Sequence, residues 1–282
     1  MANKRTNLSY LVFLLPFLVL IILFEILPLV SILRNSVKPV GTAGFTFDHF
    51  TSIFTSDYYM MSIRNSLMIA IFSSLIGLAV AVIGAYAIHH ATPKVKQFFI
   101  NLINMTANFQ GIQLAFAFII LLGNSGVLVL IGQQMGVDFL ADFDVYSSTG
   151  ILLTFIYFQI PLATLLMYPS FDAIHQEYKE AAMLLNSSKF NFWMLVGIPI
   201  VLPSIFGTFS VLFSNALAAY ATPYALMGNN YALLPIRISA MFMGDVVQQV
   251  ELGSALSVIL LLLMSVMTLI STNLLKKMRR EV

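Results

Sequence analysis

The sequence predicts an all-α membrane protein, with six transmembrane helices joined by short loops and a helical segment outside the membrane between the fourth and fifth. Three observations predict it. Of 282 residues, 59% are hydrophobic and only 9% are charged, where soluble domains carry about 25% charged residues. Six apolar runs reach the ~20 residues that a helix rising ~1.5 Å per residue needs to cross a hydrocarbon core of ~30 Å. The basic residues, finally, fall mostly into alternate loops.

The runs lie at 10–33, 62–89, 98–123, 149–171, 198–222 and 252–275. In lipid each must be helical, because every backbone N–H and C=O has to be satisfied within the segment. The first run is too long for a signal-peptide core and lacks a small-residue cleavage pattern, so it is expected to remain as a membrane helix. Its Glu25, three residues before Pro28, is expected to snorkel to the interface. The second ends in His89 and His90, which as neighbours diverge from a helix and lack the spacing of a metal pair. Polar residues crowd the third: Asn104, Thr106, Asn108, Gln110 and Gln113. Tyr157 and Gln159 lie in the fourth, and Ser210, Ser214 and Asn215 in the fifth. Prolines at 16, 28, 161, 199 and 203 are expected as tolerated kinks. No loop is long enough to bury a core of its own, which makes residues 1–282 one transmembrane domain.

Orientation follows from Lys and Arg near the segment ends. Lys4, Arg5, Lys94, Lys96, Lys179, Lys189, Lys276, Lys277, Arg279 and Arg280 fall on one side of a six-crossing chain. The opposite loops hold Arg34, Lys38, Arg64 and Arg237, together with Asp48, Asp57, Asp138, Asp142, Asp144, Asp245 and Glu251. Both termini and residues 172–197 are therefore expected in the cytoplasm.

That segment reads unlike its surroundings. Glu177 to Leu185 is a run of helix formers, with Ala181, Ala182, Leu184 and Leu185 supplying an apolar side. Asn186 and Ser187 interrupt it, and Asn readily takes the left-handed conformation that ends a helix. A second run, 190–195, leads through Val196-Gly197-Ile198-Pro199 into the fifth membrane segment. A solvated linker has no use for an Ala-Ala-Met-Leu-Leu face beside Phe192 and Trp193, so the segment is expected to be a docking surface.

Glu180-Ala181-Ala182, then Asn186, then Val196-Gly197-Ile198-Pro199 resembles the cytoplasmic signature of permease subunits of binding-protein-dependent type I ABC importers. It departs from that signature at Asn186 for Gly, Val196 for Ile and Ile198 for Leu; Asn can serve the same turn. Pro203 falls where such permeases often have a second proline. Arg64-Asn65-Ser66-Leu67 resembles the opening of the permease core, Gly84-Ala85-Tyr86-Ala87 the usual exit of the second helix, and 44–50 the loop before it. The likeness covers about 10–275. It implies a coupling helix that seats in a groove on a cytoplasmic ATPase, with Glu177, Glu180, Ala181, Ala182, Asn186, Val196, Gly197 and Pro199 as coupling residues. It implies ABC ATPase subunits, a second permease and an extracytoplasmic solute-binding protein as partners, in the bacterial inner membrane. This chain would bind no cofactor, ATP and Mg residing on the ATPase. The stretch from Asn215 through Thr222-Pro223 to Gly228, followed by Leu234-Pro235-Ile236, looks like permeases for polyamines, ferric iron, thiamine and phosphonates more than the sugar-type branch.

Polar groups at membrane depth usually face the bundle interior or a watery cavity, which makes Asn104, Asn108, Gln110, Gln159, Ser214 and Asn215 the pathway candidates. Some of these amides are expected to serve as interhelical hydrogen bonds instead. The chain has no cysteine, hence no disulfide or thiolate chemistry. No Gly-Lys dipeptide occurs, so no Walker A phosphate cradle exists. No serine at membrane depth has a histidine partner, which argues against an enzyme; a net charge of +2 says little about partners by itself, and membrane lipid, not nucleic acid, is expected around so apolar a chain. A secondary transporter driven by an ion gradient would show inverted repeats and midplane charges, and neither is evident.

Overall fold

The computed structural model describes residues 14–42, 44–243 and 248–281, with side chains to residue 277. Lys4, Arg5, residues 10–13, Asp245 and the side chains of Arg279 and Arg280 lie outside it.

Helix α1 is Leu14–Ser36, α2 Asp48–Thr55, α3 Asp57–His89, α4 Pro93–Ala107, α5 Ile112–Leu122 and α6 Val127–Met135. A single turn, α7 (Asp138–Ala141), precedes α8 (Ser148–Met167), which tightens into a 3₁₀ segment at Tyr168–Ala173. Then come α9 (Gln176–Leu184), α10 (Lys189–Phe192), α11 (Ile198–Ala218), α12 (Ala221–Met227), α13 (Leu234–Met243) and α14 (Val250–Glu281). Among the described residues, six helical spans are long and apolar enough to cross a membrane: Leu14–Ser36, Asp57–His89, Ile112–Met135, Ser148–Ala173, Lys189–Ala218 and Val250–Lys277.

The third expected segment is corrected. Residues 98–123 are not one helix: α4 ends at Ala107 and α5 begins at Ile112. The interruption is Asn108-Phe109-Gln110-Gly111, and Gly111 sits at φ 75°, a conformation costly for any residue with a Cβ. The fifth segment is likewise shorter than the expected 198–222, since Ala219 is extended (ψ 113°) between α11 and α12.

Two of the prolines are absorbed by one device. A π-turn at Ile22–Ile26 precedes Pro28, with Leu27 N–H donating to the Ile22 carbonyl. Another at Trp193–Gly197 precedes Pro199, with Ile198 N–H donating to the Trp193 carbonyl. Widening the turn moves the backbone away from a ring that would collide with the carbonyl four residues back.

The chain divides into two compact units. In the smaller (residues to Met60, and Arg237–Leu262), Thr46 N–H closes the loop after α1 on the Val37 carbonyl at 2.8 Å, and the Arg237 guanidinium lies 4.2 Å over the Tyr58 ring. A Cβ on Gly253 would come within 2.9 Å of Met241 Cβ, which lets α14 approach α13 closely.

In the larger (Met61–Ile236, and from Leu263), α3, α8 and α11 form the core. Gly77 permits the approach of α3 to α8, since a Cβ there would lie 2.8 Å from Gln159 Cβ. Gln159 is fully buried and its amide nitrogen ties three helices, donating to Ser74 Oγ at 3.2 Å and to the Leu212 carbonyl at 2.7 Å. The apolar core of the same three helices holds Leu78, Ala81, Ala163, Met167, Val201 and Leu212. Small residues at the seams and amides across them are the ordinary adhesives of membrane helices, where apolar burial alone drives little association.

Candidate functional site

The segment 172–197 is built on an aromatic base. Phe171, Ile174 and Phe192 are buried in the core, and Tyr168, Ala182, Trp193 and Val196 pack on it in part. Trp193 meets Tyr86 of α3 edge-on at 5.3 Å, and Tyr86 meets Phe171 at 6.0 Å. His89 Nε2 lies 3.3 Å from an Asp172 carboxylate oxygen. Lys96 sits 4.9 Å over the Tyr168 ring, and hydrogen bonding to Tyr168 pushes its pKa up, so the ammonium stays charged. These contacts hold the segment's root to the ends of α3, α4 and α8.

Above that root, α9 ends as the sequence requires. Asn186 is left-handed (φ 53°); its N–H donates to the Met183 carbonyl at 3.0 Å, and Ser187 N–H to the Ala182 carbonyl at 2.9 Å. This is the Schellman arrangement with Asn in the usual glycine place. Ser188 then caps α10, its hydroxyl accepting from Asn191 N–H at 3.2 Å. Gly197 is required by packing: a Cβ would lie 2.4 Å from Trp193 Cε3. Pro199 follows the π-turn already described.

The outer face is unpartnered. Glu177, Glu180, Ala181 and Asn186 are exposed, and so are Met183 (68%), Leu184 (89%), Leu185 (83%) and Phe190 (73%). Burying one such side chain is worth about 1.5–3 kcal/mol. Exposed apolar side chains next to carboxylates, with Met183, Leu184 and Leu185 outside the membrane-length spans, are the signature of an interaction surface.

The pathway candidates separate into three places. Gln110 and Asn215 meet at a cavity of about 360 Å³ where the break before α5 faces the break after α11, with Gly111, Ala219, Tyr220 and Thr222 also in its wall. Thr222 Oγ1 donates to the Gly111 carbonyl at 3.0 Å, tying the two breaks together. Irregular backbone is tolerated in a membrane protein where it lines a cavity or is buried in protein, and the first condition holds here. Asn104 and Asn108 lie on the exposed side of α4, donating to the carbonyls of Ile100 and Asn104 at 2.9 and 2.8 Å. Gln159 is inside the core, and Ser214 is half-buried on α11 beside Asn215.

Sequence reasoning missed one clamp. Asn65 donates to the Ala232 carbonyl at 3.1 Å, and buried Ser66 accepts from Leu234 N–H at 2.8 Å. The Asn-Ser pair thus satisfies the loop entering α13. The Arg64-Asn65-Ser66-Leu67 resemblance marked the pair but not its job, because the partners lie 167 and 168 residues away in sequence.

No family model matches the chain. The spermidine/putrescine transport system permease protein PotC of Escherichia coli K12 is 22% identical over 259 residues, 90% of each chain. The inner membrane ABC transporter permease protein YcjP of the same strain is 22% identical over 260 residues, 86% of this chain and 85% of that one. The thiamine transport system permease protein ThiP of Haemophilus influenzae is 26% identical over 175 residues, 62% of this chain; the match spans about a third of ThiP, 32%. Among solved structures, a bacterial ABC transporter that imports the acidic polysaccharide alginate superposes with a TM-score of 0.75 over 97% of this chain and 96% of that one, at 16% identity. The MetNI methionine ABC transporter, in inward-facing conformations, gives 0.58 over 79% and 99%, at 12%. In sequence along nine-tenths of its length, and in fold along nearly all of it, the chain matches the permease subunits of type I ABC importers.

Proposed function

We propose that the chain forms half of the translocation pathway of an ATP-driven importer for a small solute of the polyamine or thiamine kind. A solute-binding protein outside delivers the solute, and ATPase subunits inside drive transport. The observation that carries the reading is the end-to-end similarity to a polyamine permease, 90% of both chains. The exposed apolar face of α9 and α10 supports it by supplying a surface for the ATPase. In this reading Glu177, Glu180, Ala181, Ala182, Asn186, Val196, Gly197 and Pro199 form the coupling segment, in the cytoplasm with both termini. A second permease, identical or a sister, completes the route, and the chain itself catalyses nothing and binds no nucleotide, ATP and Mg staying on the ATPase. ATP closes the ATPase pair, α9 moves with it as a lever, and the aromatic root carries that motion into α3 and α8.

The test is purification of the tagged protein from its own membranes in mild detergent, with partners identified by mass spectrometry. Stoichiometric recovery of a chain containing a Walker A sequence is expected. Recovery of the protein alone across several detergents would overturn the reading. Uptake of labelled spermidine, thiamine and maltose by the reconstituted complex then separates the solute classes.

A further inference from the structure

Helix α4 and its C-cap residue carry four amides at positions 97, 101, 104 and 108. At ~100° per residue these fall within about 60° of one another around the axis, along about 16 Å of helix. Gln97, Asn101, Asn104 and Asn108 are all exposed. Gln97 Nε2 donates to Asn101 Oδ1 at 2.9 Å, while Asn104 and Asn108 each donate to the backbone carbonyl four residues back, Ile100 and Asn104, at 2.9 and 2.8 Å. The opposite face of the same helix is apolar: Val95, Phe99, Leu102 and Ile103 line a cleft of about 540 Å³ with α3 and α8. The helix is therefore amphipathic, with exposed Phe98 and Met105 bordering the amide row on one side. A row of amides cannot stand against acyl chains, where no water satisfies them.

The row also has a direction. It begins next to Lys94 and Lys96, at the end the charge asymmetry assigns to the cytoplasm. It ends at the break where Gln110 and Asn215 meet in the polar cavity. We infer that this face of α4 is the inner half of the solute route: a water-filled lane of uncharged amides running from the cavity at the helix breaks to the cytoplasmic mouth. The inference rests on the permease reading and adds Gln97 and Asn101 to the residues of that pathway. Such a lane suits a hydrated polar solute, recognised by hydrogen bonds to amides and held by no fixed charge.

The chain contains no cysteine, so single-cysteine variants can be read directly. Gln97→Cys, Asn101→Cys, Asn104→Cys and Asn108→Cys are compared with Phe99→Cys and Leu102→Cys on the cleft face. Inverted membrane vesicles holding the assembled transporter are treated with a membrane-impermeant methanethiosulfonate, and labelling is read on the purified chain. The four lane positions are expected to react on the order of tenfold faster than the two cleft positions, since water and a charged reagent are held by a row of amides and excluded from a cleft with apolar walls. Equal rates on both faces would overturn the lane. So would unreactive lane cysteines that a short bismaleimide links to a second permease, which would make the row a helix–helix seam. ATP-dependent uptake is measured on the same variants; if uptake is absent even in the cysteine-free parent, it is the permease reading that fails. A variant missing from the membrane is replaced by cysteine at the next lane position, so the comparison of faces survives the loss of any one.

Discussion

Asn186 stands where the signature this segment resembles has glycine, and its left-handed backbone shows why Asn can serve there. Consider Asn186→Val. At φ 53° a β-branched residue pays about 1–2 kcal/mol, whereas Asn tolerates the conformation and Gly pays nothing. The two hydrogen bonds that depend on it, at 3.0 and 2.9 Å, cannot form with the backbone elsewhere. Helix α9 has 9 residues, fewer than the ~12–15 an isolated helix needs, and its outer face is exposed. Burial therefore does little to enforce the turn, and the strain passes almost undiminished into the fraction of chains holding it. A loss of 1–2 kcal/mol is a factor of about 5–30, and the apparent Kd for a partner that binds only the native turn rises by that factor. The assay is a fluorescence titration of the purified ATPase against the permease in nanodiscs. Asn186→Gly is expected within about twofold of the parent. Asn191→Val, at an exposed helical site in α10, is the control, where propensity changes by only a few tenths of a kcal/mol. Equal weakening by Val at 186 and at 191, or weakening by Gly as large as by Val, would refute the reasoning.

Gly197→Leu is expected to cost about 1–3 kcal/mol by overpacking against Trp193, read as a lowered Tm in detergent, and to be partly relieved in the Gly197→Leu, Trp193→Ala pair; additive losses would show that the ring is not what the glycine accommodates. Gln159→Leu removes the buried tie among α3, α8 and α11, worth about 0.6–1.7 kcal/mol, for a Tm loss of roughly 2–4 °C per kcal/mol. Uptake per molecule is expected to stay unchanged; a transport defect at unaltered Tm would place Gln159 in the solute route instead. Thr222→Val deletes the hydroxyl that holds the Gly111 carbonyl at 3.0 Å, so faster hydrogen–deuterium exchange is expected across 108–112. Unchanged exchange would mean that the two breaks are held by packing alone.

Composition, run length and charge distribution determine that the chain is a helical membrane protein with six spans, because lipid admits no other backbone solution and Lys and Arg resist translocation. The helix–turn–helix of α9 and α10 was legible for a local reason: helix formers, Asn186 as a stop and proline as a restart are all short-range signals. What the runs of hydrophobicity hid was discontinuity. Nothing apolar marks the difference between a 26-residue helix and two helices meeting at Gln110-Gly111, since a break becomes stable only when another break, at Ala219, supplies the hydroxyl of Thr222 to its free carbonyl. The same holds for the amides. Asn104, Gln159 and Asn215 are indistinguishable as polar letters in greasy segments. Only the packing of α3, α8 and α11 put Gln159 in a dry core, left Asn104 on an open face and gathered Asn215 to a cavity, because the partners that decide among those fates are 53 to 85 residues away in the chain for Gln159, beyond the reach of any local pattern.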